Sequence, residues 1–230
     1  MADPARRPDA PDPTFYPESE KVPDPPLNRK VGVLLEELVR RWLAERGETA
    51  YVGGDQFIYW VQYQPTRAIA PDVYVLPGID PETDVRVWKL WEHAVVPSLA
   101  VEVVGLDVRK DYEVAPLRCE EIGVRELVVY DPDHTDGAER ARFQVWRRRR
   151  GTLVRVERTD TDRVRSAVLG CFIREVGSGG RRRLRLATGR HGERLFPTVE
   201  ELREEERRGR EEAEAELARL RAEVEALRGR

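Results

Sequence analysis

Apolar residues recur at intervals of three and four between positions 31 and 43, which is the spacing of one helix face. The pattern predicts a helix with Asn28 as its N-cap and Gly47 as its stop. Short runs rich in β-branched and aromatic residues follow, and such runs are typical of strands. They lie at 57–63, 72–76, 98–104 and 125–130. The first half of the chain is therefore predicted to be one helix followed by buried strands.

The second half alternates short elements with turn signals. Pro116 suits the first turn of a helix and Gly123 its C-terminal cap. Residues 142–146 and 152–156 are predicted to form a hairpin, and shorter strand-like runs lie at 168–173 and 184–186.

The two ends of the chain differ from the middle. Residues 1–26 are rich in Pro, Asp and Arg, which predicts a flexible, disordered arm. Residues 198–230 consist largely of Glu, Arg and Ala, which predicts a long charged helix. Within it four apolar residues occupy heptad a and d positions: Leu217, Leu220, Val224 and Leu227. The helix is either solvent-facing or a coiled coil that joins copies of the chain into a homo-oligomer.

Composition allows one domain of ordinary size plus appendages. The chain has 230 residues, of which 40% are hydrophobic and 36% charged. Because the formal net charge is only −3, overall charge gives no argument for nucleic-acid binding. Arginine clusters at 147–150 and 181–183 are able to bind phosphate groups, although such clusters more often lie at solvated strand ends or turns.

The spacing of the cysteines and histidines argues against a disulfide framework and against a zinc site. Cys119 and Cys171 have no CxxC partner, and the three histidines lie far apart with no ligand spacing. No apolar run is long enough to cross a membrane, and the N-terminus lacks a signal-peptide core. We therefore expect a cytoplasmic protein without a membrane partner.

Two carboxylates stand inside apolar strand-like runs. Asp72 follows Pro71, and Glu102 is flanked by valines. Burying an unpaired charge is expensive, so a divalent cation shared between two acids on adjacent strands explains both positions. Alternatively, Asp72 caps a turn at the start of its strand, and Glu102 pairs with an arginine. Glu36 and Glu37 of the first helix are within reach of the site, with Glu37 expected to face water.

The order of elements resembles the core of the PD-(D/E)xK nuclease superfamily. More closely, the chain resembles the Uma2 family (DUF820) of restriction-type endonucleases over roughly 27–195. The resemblance rests on an ordered set of short motifs: Pro71-Asp72, Lys89-Leu90-Trp91-Glu92, Val101-Glu102-Val103, Gly123-Val124-Arg125-Glu126-Leu127 and Tyr130-Asp131-Pro132. It implies an α/β (α+β) fold, with a restriction-endonuclease-like mixed β-sheet flanked by helices, over 27–197.

The resemblance also implies a catalytic site. Asp72 and Glu102 would bind Mg²⁺ or Mn²⁺, with the Val103 carbonyl as a third ligand, for hydrolysis of nucleic-acid phosphodiesters, of DNA by preference. The position two after Glu102, lysine in many such nucleases, is Val104. In Uma2 the lysine typically stands on the following helix.

Alignment on Gly123 gives Ala115 and Arg118 at that place on the helix. Lys110, just before the predicted helix, is the first candidate for the lysine role and Arg118 the second. Asp111, the neighbour of Lys110, is either a helix N-cap or an outer-shell acid. The serine of the family appears as Gly105 and its histidine as Asn28.

Three functions are compatible with these residues. The first is a metal-dependent endonuclease with Asp72, Glu102, Lys110 and Arg118 as its catalytic set. The second is a catalytically degenerate nuclease fold that acts as a nucleic-acid-binding or oligomeric assembly module. The third, a metal-dependent hydrolase of another substrate, rests on the carboxylate pair alone.

Overall fold

The computed structural model describes residues 12–17, 26–136 and 139–228, which fall into two compact units, Met1–Arg194 and Leu195–Arg230. The α-helices of the described residues are α1 (Pro26–Glu45), α2 (Leu90–His93), α3 (Ala115–Ile122) and α4 (Val199–Arg228). The strands are β1 (Ala50–Gly53), β2 (Ile58–Tyr59), β3 (Ala68–Ile69), β4 (Val73–Pro77), β5 (Trp88–Lys89), β6 (Leu99–Val103), β7 (Glu126–Tyr130), β8 (Phe143–Arg149), β9 (Thr152–Thr159), β10 (Arg163–Arg165), β11 (Phe172–Val176), β12 (Arg183–Thr188) and β13 (Arg194–Leu195).

A six-stranded mixed sheet in the order β1-β4-β6-β7-β8-β9 forms the centre of the first unit. In this sheet β6 and β7 run parallel, and α3 lies in the connection between them. The other neighbours in this sheet are antiparallel. A second sheet contains β10, β11 and β12 as antiparallel neighbours. A third sheet, in the order β3-β2-β5, is formed by three two-residue strands. The predicted mixed sheet with flanking helices is confirmed.

The side chains of the central sheet point to two separate cores. On one face Ala100, Leu127 and Val129 pack with α3 and with the β3-β2-β5 sheet in one buried cluster. On the other face α1 packs against β1, β4 and β12. Because both faces are covered, the inner strands are continuously apolar rather than alternating. Glu102 is the exception within β6.

Of the two helix ends predicted for α1, the structure confirms the C-terminal end but not the N-terminal one. Gly47 adopts φ +70°, and its N–H donates to the Ala44 carbonyl at 3.0 Å, so it stops the helix as predicted. The predicted N-cap at Asn28 is wrong, because α1 already begins at Pro26. Instead, the Asn28 side chain reaches across to β6. Most of the predicted flexible arm, 1–26, lies outside the described residues.

The segment directly before α3 is itself helical. Residues 110–114 form a π-turn that runs directly into α3, and the Ala115 N–H donates to the Lys110 carbonyl five residues earlier. Pro116 is the second residue of α3, in its first turn as predicted, and the helical backbone extends back through the π-turn. Proline lacks an N–H and its ring crowds the carbonyl four residues back. A wider turn before Pro116 accommodates both effects.

The aromatic run at 57–63 forms a much shorter strand than predicted. Only Ile58 and Tyr59 belong to β2, and the backbone turns sharply before Tyr63, which adopts φ +62°. The described N-terminal residues contact this region. The Tyr59 hydroxyl donates to the Pro17 carbonyl at 2.7 Å, and the Tyr16 ring packs against Tyr59.

The hairpin predicted from residues 142–156 is present as β8 and β9, joined at Arg150 and Gly151. Two arginines of the cluster at 147–150 have partners within the fold. Arg147 pairs with the buried Glu126 at 2.7 Å. Arg148 donates to carbonyl oxygens at the end of α3, including that of Glu120 at 2.7 Å. These two guanidinium groups therefore fasten the hairpin to β7 and α3.

The second unit is dominated by α4. A reciprocal capping box opens the helix: the Glu201 N–H donates to Thr198 Oγ1 at 3.1 Å, and the Thr198 N–H to Glu201 Oε2 at 2.8 Å. None of the residues of α4 that the structure describes is buried. The predicted long C-terminal helix is confirmed, with an exposed surface along its length.

Candidate active site

The register of the central sheet brings the two sequence-predicted acids together. In the antiparallel pair of β4 and β6, Val73 lies opposite Val101. Continuing this register by one residue places Asp72 opposite Glu102. Directly opposed residues of an antiparallel pair have Cβ atoms roughly 4.5–5.5 Å apart on the same face. The register therefore places these two residues at neighbouring positions where β4 begins and β6 ends.

The backbone of Val103 lies beside Asp72. Asp72 Oδ2 accepts a hydrogen bond from the Val103 N–H at 2.6 Å, so one carboxylate oxygen completes the ladder at the start of β4. The Val103 carbonyl accepts from Asn28 Nδ2 at 2.9 Å. A carbonyl oxygen has two acceptor positions, so the Asn28 bond leaves one available. Asp72 therefore caps the start of β4, as one alternative predicts, and it also lies beside the Val103 carbonyl oxygen.

Two glycines allow other backbone segments to approach Asp72 closely. A Cβ at Gly54 would lie 2.3 Å from the Asp72 carbonyl oxygen and 3.3 Å from Glu36 Oε2, so only glycine fits there. On α1, a Cβ at Gly32 would lie 3.8 Å from Asp72 Cβ. The loop after β1 and the helix α1 thus pack directly around Asp72, with Glu36 beside them.

Glu102 is almost completely buried, with 3% of its surface exposed. Its negative charge is felt on α3. Burial raises the pKa of the Cys119 thiol well above its ordinary value, and the charge of Glu102 acts in the same direction. Glu102 therefore lies on the sheet face that α3 covers.

The π-turn that carries Lys110 is attached to the ends of two strands. Asp111 Oδ2 accepts the Gly105 N–H at 2.9 Å, just after β6. The Tyr112 hydroxyl donates to Asp131 Oδ2 at 2.7 Å, just after β7. These bonds hold the backbone of half-buried Lys110 beside the end of the strand that carries Glu102.

Arg118, the second candidate for the lysine role, has a structural partner. Its Nη1 donates to the Ala68 carbonyl on β3 at 2.7 Å. This bond ties α3 to the small sheet. A phosphate contact would require the guanidinium to leave Ala68 or to share its remaining donors.

The donor set fits a hard divalent cation. Within the described ranges, no group of three or more His, Cys, Asp or Glu side chains is arranged to bind a metal. Mg²⁺ usually takes one or two carboxylates and keeps several waters, completing its octahedron with substrate phosphate oxygens. Asp72, Glu102 and the Val103 carbonyl supply oxygen ligands only, which suits Mg²⁺ or Mn²⁺ and not zinc.

Part of this neighbourhood is formed by contacts that no local sequence pattern predicts. The contact between Asn28 and Val103 joins residues 75 positions apart, and only the register of the folded chain could have revealed it. Glu36 does reach the region of Asp72. Glu37, predicted to face water, instead has its Oε1 buried without a hydrogen-bond partner among the described residues.

Both cysteines are buried and reduced. Burial raises the pKa of Cys171 to about 12, and that of Cys119 also rises. The thiolate is the reactive form, and at pH 8 only roughly 1 in 10⁴ Cys171 thiols would carry it. We expect a thiol reagent such as DTNB to modify neither cysteine of the native protein within minutes at pH 8. In guanidinium chloride both should react, and rapid modification of either thiol without denaturant would contradict this burial.

A mixed sheet flanked by helices, with α3 between its parallel pair, is the fold predicted for a restriction-endonuclease-like protein. The chain belongs to the Uma2 family. The model of that family, described as "Putative restriction endonuclease", matches residues 18–173. The family and the fold class predicted from the sequence are thereby confirmed.

One similar solved structure is that of "a putative nuclease belonging to DUF820" from Anabaena variabilis ATCC 29413. The two sequences are 12% identical, the alignment covers 65% of this chain and 78% of the other, and the TM-score is 0.45. A search of curated proteins gives no match. In the described residues, no helix combines the length and apolar character needed to span a membrane. The cytoplasmic location stays a prediction.

Proposed function

We propose that this protein is a divalent-metal-dependent endonuclease that hydrolyses phosphodiester bonds of nucleic acid, with DNA as its substrate. The observation that carries the proposal is the register of β4 and β6, whose continuation by one residue sets Asp72 opposite Glu102, together with the bond from the Val103 N–H to Asp72, in a member of the Uma2 family. Two acids held this close repel each other. A divalent cation bound between them would attract both carboxylates and offset their mutual repulsion.

Asp72, Glu102 and the Val103 carbonyl oxygen would hold Mg²⁺ or Mn²⁺. When bound, such an ion polarises the scissile phosphate, lowers the pKa of a coordinated water and balances the charge that develops during phosphoryl transfer. Asn28 keeps the Val103 carbonyl oriented through its 2.9 Å bond. Asp72 is itself held by the Val103 N–H. These two bonds support the proposal because they position the Asp72 carboxylate and the Val103 carbonyl without an ion.

Lys110 is assigned the role of the family lysine. Its ammonium carries three donors and a positive charge, which suits it to orient a water and to stabilise negative charge at a phosphate oxygen. The anchoring of the π-turn at Gly105 and Asp131 supports this assignment, because it holds Lys110 beside the end of β6. Arg118 is the second candidate, and it would supply charge but not act as a base, because it stays protonated.

Plasmid nicking tests the proposal directly. The purified protein should convert supercoiled DNA into the open circle when Mg²⁺ or Mn²⁺ is supplied, and EDTA should abolish this conversion. Parallel reactions with single-stranded DNA and with RNA test the choice of substrate. Binding of DNA without cleavage in either metal would instead favour the degenerate binding module. Cleavage that persists in EDTA would contradict the metal requirement.

Replacing Lys110 with alanine is expected to lower the nicking rate about 100-fold, the usual loss when one charge-stabilising or proton-transferring group is removed. Initial rates under excess enzyme measure this effect. Lys89→Ala is the matched control, because Lys89 pairs with Glu92 at 3.1 Å and lies on β5. The control should cleave at the wild-type rate.

A Lys110→Ala protein with wild-type activity would contradict the assignment of the lysine role. If Arg118→Ala alone lost activity while keeping its melting temperature, the role would pass to Arg118. Loss of melting temperature in that variant would instead report the bond to Ala68.

A further inference from the structure

The last two heptads of α4 present an apolar stripe to solvent. Its members are Leu217, Leu220, Val224 and Leu227, hereafter the apolar seam, and each is 48% exposed or more. They stand at consecutive a and d positions. Earlier in the helix the same register places Arg210 and Arg203 at a positions, so the seam is confined to the C-terminal half. An exposed stripe of this spacing is typical of a helix that packs against another helix.

The charges that flank the seam are not used within their own helix. Glu216 and Glu223 stand at g positions, and Arg221 and Arg228 at e positions. In the described part of the chain, none of these four side chains forms an ion pair.

The N-terminal half of α4 is different. There, Arg207 pairs with Glu204 at 2.7 Å and with Glu211 at 2.5 Å, and Arg210 pairs with Glu214 at 3.0 Å. The charges beside the seam are therefore available to a partner, whereas several charges before it already have local partners.

The signs of the flanking charges select both the partner and its orientation. In a parallel pair of helices each g residue faces the e residue of the next heptad on the other helix. Glu216 would then meet the partner's Arg221, and Glu223 would meet the partner's Arg228. In an antiparallel pair g faces g and e faces e, so Glu would meet Glu and Arg would meet Arg. A second parallel copy of α4 thus satisfies all the flanking charges.

We propose that the apolar seam joins two copies of this chain in a parallel two-stranded coiled coil. Val224 at an a position with Leu220 and Leu227 at d positions favours two strands over three or four. Arg210 at the preceding a position would place like charges together, which limits the coil to the last two heptads. The contact is independent of the proposed endonuclease chemistry.

Sedimentation equilibrium of the full chain at increasing concentration tests the pairing. The mass should rise from 26.5 kDa towards twice that value and stop there. A mass that stays monomeric, or one that continues to a trimer or tetramer, would overturn the proposal.

Charge reversal separates this interface from non-specific association. The double variant E216R/E223R places Arg at both g and e, and R221E/R228E places Glu at both. Each variant alone should remain monomeric at concentrations where the wild type is dimeric, and an equimolar mixture should recover the dimer. Dimers that persist in both single-sign variants would show that another surface joins the copies.

Cysteine cross-linking decides the orientation. A parallel coil places the d position 227 of each copy within the Cα separation that a disulfide needs. Leu227→Cys should form a covalent dimer under mild oxidation, whereas Ala226→Cys, at the outward c position, should not. The native Cys119 and Cys171 are buried and do not compete. A dimer that Leu227→Cys fails to cross-link would overturn the parallel arrangement.

Discussion

Replacing Asp72 with asparagine, or Glu102 with glutamine, is expected to lower metal-dependent nicking about 1000-fold in each case. Both changes keep the size of the side chain and remove the negative charge that a divalent cation requires. Electrostatic stabilisation by such an ion supplies several kcal/mol, and each 1.36 kcal/mol corresponds to a tenfold change in rate. The double variant should be no slower than either single variant, because the two acids act as one unit.

The same variants should fold normally, which separates catalysis from stability. In Asp72→Asn the amide oxygen of the new side chain can still accept the Val103 N–H, so the ladder remains closed. In Glu102→Gln a neutral amide replaces a buried charge, which removes a desolvation cost. Glu121→Gln is the control acid, since its ion pair with Arg67 is exposed, and it should cleave like the wild type. Activity within tenfold of wild type in both acid variants would contradict their proposed role.

Replacing Asp131 with alanine is expected to lower the free energy of unfolding more than any other substitution proposed above. Asp131 is completely buried and accepts two bonds from Arg140, at 2.7 and 2.6 Å, and one from the Tyr112 hydroxyl at 2.7 Å. Without the carboxylate, a largely buried guanidinium and a hydroxyl lose their partner. Breaking such a pair costs about 3–5 kcal/mol, which lowers the melting temperature by about 10 °C in a protein of this size.

Thermal unfolding followed by circular dichroism at pH 7 measures this loss. Asp133→Ala is the matched control, because its ion pair with Arg182 at 3.4 Å is more exposed. Surface pairs contribute at most about 1 kcal/mol, so the control should shift the midpoint by no more than about 3 °C. Equal shifts in the two variants would show that the network of Asp131 with Arg140 and Tyr112 does not stabilise the fold.

The elements that place the two acids were predictable from local pattern. Continuous apolar runs rich in β-branched residues around Asp72 and Glu102 indicate buried strands, because strands of a sheet covered on both faces have such runs. The helical period of 31–43 likewise fixes α1. Each of these signals lies within one element, and the order of the elements was enough for the family resemblance.

The remaining features depend on contacts between distant residues. Pro116 lies in the first turn of α3 as local rules predict, but the π-turn before it is held by hydrogen bonds to Gly105 and Asp131 that local rules do not show. Asn28 is of a residue type that favours the N-cap position, but its side-chain amide donates to the Val103 carbonyl on β6 instead. For Asn28 a tertiary hydrogen bond overrides the local preference of the residue, and for the π-turn such bonds fix a conformation that sequence periodicity does not indicate.

The central claim is that Asp72 and Glu102 bind one divalent cation together, and Mn²⁺ binding measures it without any substrate. Titration followed by the loss of the free Mn²⁺ paramagnetic resonance signal should give one site per chain in the wild type. Asp72→Asn and Glu102→Gln should each weaken that site at least tenfold, while Glu121→Gln leaves it unchanged. Affinity that is the same in the wild type and in both acid variants would contradict the account.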